Sequence, residues 1–350
     1  MAPPATQKAL VITEVGKPLE LVTDWPVPQP GPDQVLLKIT VAGLNPHDGK
    51  TREWGLFAPK LPAVIANDVT GTVVALGPGV TKYQIGDRVV SQPEFQGNYA
   101  QNALQEYAVN DISAGCKIPD SITDDEAATL PTNLIAPLIG LFSTEHGLGI
   151  PAPWTEGAKS FDYKNTTLLI IGGGSNCGKF AVQLAKLANI GTIISVGGSD
   201  EELKGFGATH VLDRHGGEEV VLERIQKVVG DDLIYVFDAI NPPETLALGM
   251  KALSSTKKGK LARLLPTRPA DKSTVLGKKA GFEVVDVFGS SQAQPDLAYP
   301  FWERVPEYLT SGKLKPLNFV VKNGLTADNV NTVLDGYRDG ARVTKTHIHV

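Results

Sequence analysis

The residues best placed to do chemistry in this 350-residue sequence lie where the apolar run Thr167–Ile171 meets Gly172-Gly173-Gly174-Ser175-Asn176-Cys177-Gly178 and then KFAVQLAKLA. A tight glycine turn between a strand and a helix aims backbone N–H groups and the positive helix end at an anion, and in a βαβ unit that anion is a pyrophosphate. As a dinucleotide fingerprint the spacing reads Gly173-x-Ser175-x-x-Gly178, with serine at the middle position and Asn176 and Cys177 inside the turn. Thr192–Val196 supplies the second strand. An NAD-type site ends that strand in Asp or Glu, which holds the ribose hydroxyls. Here the position is Gly197, followed by Gly198 and Ser199. Glycine leaves room for a 2′-phosphate, and Ser199, Lys204 and Arg214 are candidate donors, so the expected cofactor is NADPH rather than NADH. Asp200 and Glu201 fall two residues later and suit the start of the next helix. Ala239 and Ile240, after the strand ending at Asp238, lie at the carboxyl edge where open sheets bind ligands. Arg342 and Lys345, near the C-terminus, are candidates for the pyrophosphate.

Two kinds of texture surround these residues. The first 120 or so residues are short β-like runs, Ala9–Ile12, Val35–Val41, Val69–Ala75 and Arg88–Ser91, broken by PVPQPGP, GPG and Gly86-Asp87. Turn signals at that density predict an antiparallel barrel-like unit. One helix is expected from Asp124 to about Ser143, and Ser143–Asn165, which lacks a period, reads as a surface insertion. From Thr167 strands and helices alternate: helices over Lys179–Ala188, Ser199–Phe206, Glu218–Val229 and Pro243–Leu253, and strands at Thr209–Asp213, Leu233–Asp238, Lys260–Leu265 and Glu283–Phe288. Continuous apolar strands with helical crossovers make a doubly wound parallel sheet covered on both faces. Leu317–Val321, a helix near Asn329–Gly336 and Thr346–Val350 return the chain to the first unit.

Composition narrows the function classes. A formal charge of −5 argues against non-specific binding to nucleic acid or an anionic membrane. No apolar run approaches the ~20 residues of a membrane span, and MAPPATQKALVITE resembles neither a signal nor a transit peptide. A cytoplasmic location is expected. Two cysteines, Cys116 and Cys177, are too few for a four-cysteine zinc lobe. Cys177 reads as a packing residue, and His347-x-His349 offers only two ligands, so no metal is expected.

Several segments together resemble the medium-chain dehydrogenase/reductases. Gly43-Leu44-Asn45-Pro46-His47-Asp48 and Pro62-Ala-Val-Ile-Ala-Asn-Asp-Val-Thr-Gly71 are similar to that superfamily's two active-site segments. Val74-Ala-Leu-Gly77-Pro-Gly79-Val80, Gly86-Asp87-Arg88-Val89 and Phe206-Gly-Ala-Thr-His-Val-Leu-Asp213 are similar to its barrel turns and third nucleotide-domain strand. The resemblance implies an α/β chain with a GroES-like β-barrel catalytic domain, residues 1–125 and 295–350, and a Rossmann doubly wound parallel-sheet NADPH-binding domain, residues 126–294. It also implies cofactor contacts from Asn45, Pro46 and the Phe288-Gly289 strand end. Zinc-dependent members carry Cys in the first segment and His-Glu in the second; here Asn45 and Asn67-Asp68 replace them, and amides are poor zinc ligands.

Asn45-Pro46-x-Asp48 resembles the zinc-independent branch of quinone oxidoreductases, alkenal reductases and enoyl reductases. Leu44-Asn45-Pro46-His47-Asp48-Gly49-Lys50, Ala128-Thr-Leu-Pro131, the Leu148–Trp154 stretch and Val287-Phe288-Gly289-Ser290 are similar to the fungal trans-acting enoyl reductases of polyketide pathways. The implied reaction sends hydride to the β-carbon of an α,β-unsaturated carbonyl. Lys50 is the candidate donor to the developing enolate, and His47 a ligand for the nicotinamide ribose or a proton relay. Trp54 stands where a tyrosine donor is expected, and Leu134-Ile135-Ala136-Pro137 lacks the threonine common in relatives. The implied partner is a small-molecule or carrier-bound unsaturated substrate in fungal secondary metabolism or enone detoxification, and the protein is a monomer or a homodimer. Alternatives are a quinone or carbonyl oxidoreductase, and a non-catalytic NADPH-binding regulator or structural protein.

Overall fold

The computed structural model describes residues 3–95, 99–264, 269–273 and 275–350. The chain forms two compact units: residues up to Thr132 together with Ser290–Val350, and Asn133–Gly289.

The second unit is a six-stranded, all-parallel sheet in the order His210–Leu212, Thr192–Val196, Thr167–Ile171, Tyr235–Asp238, Gly259–Leu264, Phe282–Val287. By sequence rank this is 3-2-1-4-5-6, so the winding direction reverses between Thr167–Ile171 and Tyr235–Asp238. Leu168 to Ile171 are buried because helices cover both faces, which is why the run is apolar without alternation. Leu169, Ile171, Ile194, Val236 and Leu261 meet Val221, Ile225 and Leu246 of the helices Glu218–Val229 and Pro243–Ala252 in one core. Each fully buried side chain of this size contributes ~1.5–3 kcal/mol. The strands Thr167–Ile171, Thr192–Val196 and the helix Glu218–Val229 have the expected bounds. Leu265, expected to end the fifth strand, lies outside the described residues. Residues 143–165 depart from expectation only in part: they bury Leu148, Ile150 and Ala152, and Tyr163 Oη donates to Pro151 O at 2.6 Å. Residues 144–146 and most of 155–165 are exposed.

In the first unit the long strand Gln34–Leu44 is the centre of a seven-stranded sheet. It pairs antiparallel with Asp68–Leu76, Tyr107–Asp111 and the C-terminal strand Thr346–His349. Arg88–Ser91, Gly115–Lys117 and Val320–Asn323 complete that sheet, while Glu20–Pro26, Thr6–Ile12 and Ala63–Val64 form a smaller one. Leu10, Ile12, Leu37, Leu44, Val64, Val73, Leu334 and Ile348 share its core, so the C-terminal segment does return to the first unit. The helix expected over Asp124–Ser143 is two, Asp124–Ala128 and Pro131–Phe142. Pro131 disfavours helical backbone at Leu130, which accounts for the break, while Pro137 is tolerated inside the second helix.

Candidate functional site

At the carboxyl edge of the second unit the glycines are required by what surrounds them. A Cβ on Gly173 would fall 1.7 Å from Ser195 Oγ, one on Gly178 would fall 2.3 Å from Gly172 O, and one on Gly174 would lie 3.0 Å from Gly198 Cα. The phosphate turn and the Gly197-Gly198 turn therefore pack backbone against backbone. Ser175 caps the helix Asn176–Leu187, its hydroxyl accepting from Gly178 N at 3.0 Å. That explains serine at the middle of the fingerprint: it takes the Gly178 N–H at a helix N-terminus whose positive end suits phosphate. Cys177 Sγ stands 3.9 Å from Asn133 Oδ1. Ile240 presses on the turn, its Cγ2 2.7 Å from where a Gly172 Cβ would be, and Ala239 is buried beside it. Asp238 holds that corner by accepting from Ile240 N, Asn241 N and Thr245 Oγ1 at 3.0, 2.7 and 3.0 Å, and burial raises its pKa above the carboxylate norm. Gly289, after Phe288, sits where a Cβ would be 2.6 Å from Ala136 Cβ.

Gly197 has φ +78°, and Arg214 Cδ lies 3.1 Å from where its Cβ would be. The arginine stem thus covers the glycine, and the exposed guanidinium has no ion pair or hydrogen bond among the described residues. Ser199 caps the helix Asp200–Phe206, accepting from Glu202 N. Lys204 is paired with Asp200 at 3.0 Å, so unlike Arg214 its charge is already matched. These turns, with a cradle that any Cβ would fill, fit a dinucleotide.

In the first unit, Asn45-Pro46-x-Asp48 is a helix start. Pro46 opens the helix Pro46–Trp54, Asp48 Oδ2 accepts from Asn45 N at 2.7 Å, and Gly55 ends it at φ +68°. Asp48 Oδ1 also takes Ala66 N at 3.2 Å; burial raises this carboxyl's pKa, Asp68 adding to the effect and His47, Asn45 and Lys345 opposing it. Asn45 is 2% exposed, with Nδ2 donating to Asp68 Oδ2 at 2.7 Å and Oδ1 accepting from Lys345 Nζ at 3.0 Å. Lys345 is also ion-paired to Asp68, whose other oxygen accepts from Thr132 N at 2.7 Å. Burial pushes Asp68 up, but the Lys345 ammonium and these donors outweigh it and hold its pKa below the usual carboxylate range. Gly43 makes room for the pair: a Cβ there would lie 2.8 Å from Asp68 Cβ and 3.0 Å from Lys345 Nζ.

This donor set does not fit zinc. Two amides and one carboxylate already neutralised by a lysine stand where a metal would need thiolate and imidazole. Among the described residues, no group of three or more His, Cys, Asp or Glu is arranged to hold a metal ion. His347 and His349 both bond Asp125, at 3.0 and 3.0–3.1 Å, a structural tie between the last strand and Asp124–Ala128.

The two candidate catalytic residues share one helix. His47 Nε2 is 3.1 Å from Asn67 Oδ1, and the ring lies against Phe57 and Phe95, centroids 6.1 and 5.2 Å away. Lys50 is half-buried, makes no hydrogen bond or ion pair among the described residues, and has its pKa lowered by burial. Trp54 is 67% exposed at the helix end. Trp302 is fully buried, its Nε1 donating to Ser291 Oγ at 3.0 Å. Arg342 is exposed. Lys345, read with Arg342 as a phosphate ligand, is a buried partner of Asp68. Its pairing crosses 277 positions, and no local spacing signals it.

Residues 31–121 match the alcohol dehydrogenase GroES-like domain family, and residues 177–264 the zinc-binding dehydrogenase family. The dehydrogenase orsE of Emericella nidulans is 31% identical over 97% of this chain and 98% of its own. The trans-enoyl reductase FSL5 of Gibberella zeae is 32% identical over 80% and 79%. A mycobacterial protein whose structure is complexed with NADPH has a TM-score of 0.74 at 22% identity, covering 99% of this chain and 100% of its own. The chain belongs to the medium-chain dehydrogenase/reductase family of oxidoreductases. Its relatives mark its function as that of a reductase. No helix among the described residues is long and apolar enough to cross a membrane.

Proposed function

We propose that the protein is a zinc-independent reductase that uses NADPH to reduce the activated C=C bond of an α,β-unsaturated carbonyl compound. The observation that carries this reading is the Lys345 ammonium held by Asn45 and Asp68. With those positions spent on an internal cation, the donors for Lewis-acid activation of an alcohol are absent, and hydride transfer to an already polarised alkene needs none. The trans-enoyl reductase relatives support the same substrate class.

Bound NADPH supplies the hydride. The glycine turn and the N-terminus of the helix that follows it would hold its pyrophosphate, and Arg214 with Ser199, beside Gly197, would hold its 2′-phosphate. Lys50 meets the negative charge that develops on the carbonyl oxygen, an interaction made fully only in the transition state. The half-buried ammonium, unpaired among the described residues, supports that role. The substrate is a small molecule or an acyl group on a carrier, reduced in secondary metabolism. A quinone is the second reading, favoured by a chloroplast-envelope quinone oxidoreductase homologue of Arabidopsis thaliana.

NADPH consumption with a panel of enones, enoyl thioesters and quinones tests this. Turnover of enones or enoyl thioesters is expected, with Lys50→Ala lowering kcat about a hundredfold, as loss of an oxyanion donor does. Turnover of quinones alone, or an unaffected Lys50→Ala variant, overturns it.

A further inference from the structure

His47, Asn67 and Asn102 form a line of polar groups whose direction is fixed at its far end. Asn102 Nδ2 donates to Val64 O at 2.7 Å, and a backbone carbonyl can only accept. Asn102 Oδ1 is thereby turned to Asn67, whose Nδ2 donates to it at 3.1 Å and stands 3.5 Å from a second carbonyl, Glu94 O. The atom Asn67 presents to His47 Nε2 is consequently its oxygen. Turning the Asn67 amide over would set its oxygen against Asn102 Oδ1 and Glu94 O. Turning Asn102 as well would set an oxygen 2.7 Å from Val64 O. Both asparagines are nearly buried, at 5% and 6% exposure, so water does not repair such a clash cheaply.

Asp48 Oδ1, a second acceptor, lies 3.4 Å from the same His47 nitrogen. Nε2 faces two acceptors and Nδ1 has no hydrogen-bond partner among the described residues.

We propose that Asn67 and Asn102 are positioning residues that hold neutral His47 in the Nε2–H tautomer and leave Nδ1 as a free acceptor. Asn67 stands where zinc-dependent relatives carry a histidine ligand, so the position orients an imidazole rather than supplying one. Resting on the reductase reading above, His47 would then accept a hydrogen bond from a hydroxyl of the bound cofactor. It does not donate to an enolate, which leaves that task to Lys50.

The test is nitrogen NMR of histidine-labelled full-length protein at a pH where imidazole is neutral, with His47→Gln assigning the His47 signals among the six histidines. The expected spectrum shows the proton on Nε2. Asn67→Ala lowers the Nε2–H population, since Asp48 Oδ1 at 3.4 Å is then its one remaining acceptor among the described residues, and Asn102→Ala lowers it by less. A proton on Nδ1, or a preference unchanged in Asn67→Ala, overturns the proposal; should that variant fail to fold, the wild-type spectrum decides. Saturation with NADPH moves the Nδ1 signal while Nε2 keeps its proton. An unmoved Nδ1 overturns the acceptor role, whereas the reductase reading stands or falls separately on turnover.

Discussion

The nucleotide edge of the second unit and the polar cluster of the first solve opposite problems. At the nucleotide edge the working feature is the missing side chain: Gly173, Gly174, Gly178 and Gly197 leave room, and backbone N–H groups and one arginine stem fill the surroundings. In the first unit it is the side chains that are packed together. Asn45, Asp48, Asp68 and Lys345 are buried; Asn45, Asp68 and Lys345 satisfy one another's charge and hydrogen bonds, and Asp48 accepts from Asn45 N. A backbone cradle tolerates surface changes and fails on any added carbon, whereas a buried ionic cluster fails when one partner is removed.

Lys345→Met should be the most damaging change, because it strands the Asp68 carboxylate: a loss of about 3–5 kcal/mol by urea unfolding near neutral pH. Since Asp68 has a depressed pKa, its contribution is full above the unfolded carboxylate value, ~3.9, and disappears as pH falls through the lower folded value. The variant should flatten that acid limb, and an unchanged limb would break the contrast drawn here. Gly178→Ala comes next. Its Cβ meets backbone that cannot step aside, so about 1–3 kcal/mol of stability should go, with NADPH affinity falling by at least about tenfold in calorimetry. Arg214→Ala should leave stability alone and weaken NADPH about 10–100-fold, with NADH unchanged, as loss of a charge-assisted bond to phosphate predicts. The smallest effect belongs to Lys204→Ala: its exposed pairing with Asp200 makes a change beyond about threefold in NADPH affinity unexpected.

The same contrast explains what could be read in advance. The phosphate turn, the Gly197 position and three elements of the parallel sheet unit were legible because their signals are local: a glycine every few residues, apolar runs, a helical period. Asn45-Pro46-x-Asp48 also carries a local signal, an N-cap followed by proline, and it starts the helix Pro46–Trp54. The strands Glu20–Pro26 and Tyr107–Asp111 carry no clear sequence signal, because polar residues interrupt their alternation. Lys345 could not be found locally, since its partners lie 277 and 300 positions away. The orientation of Asn67 depends on two carbonyls from other loops, information that no spacing holds.

The most direct test of the central claim follows the hydride itself. The protein is given NADPH deuterated at the transferred position with an enone or enoyl thioester, and the product is examined by mass spectrometry and NMR. The account predicts one deuterium on the β-carbon of the saturated product and a solvent-derived proton on the α-carbon. Deuterium on the carbonyl carbon of an allylic alcohol, or none in any product while quinones are reduced, would contradict it.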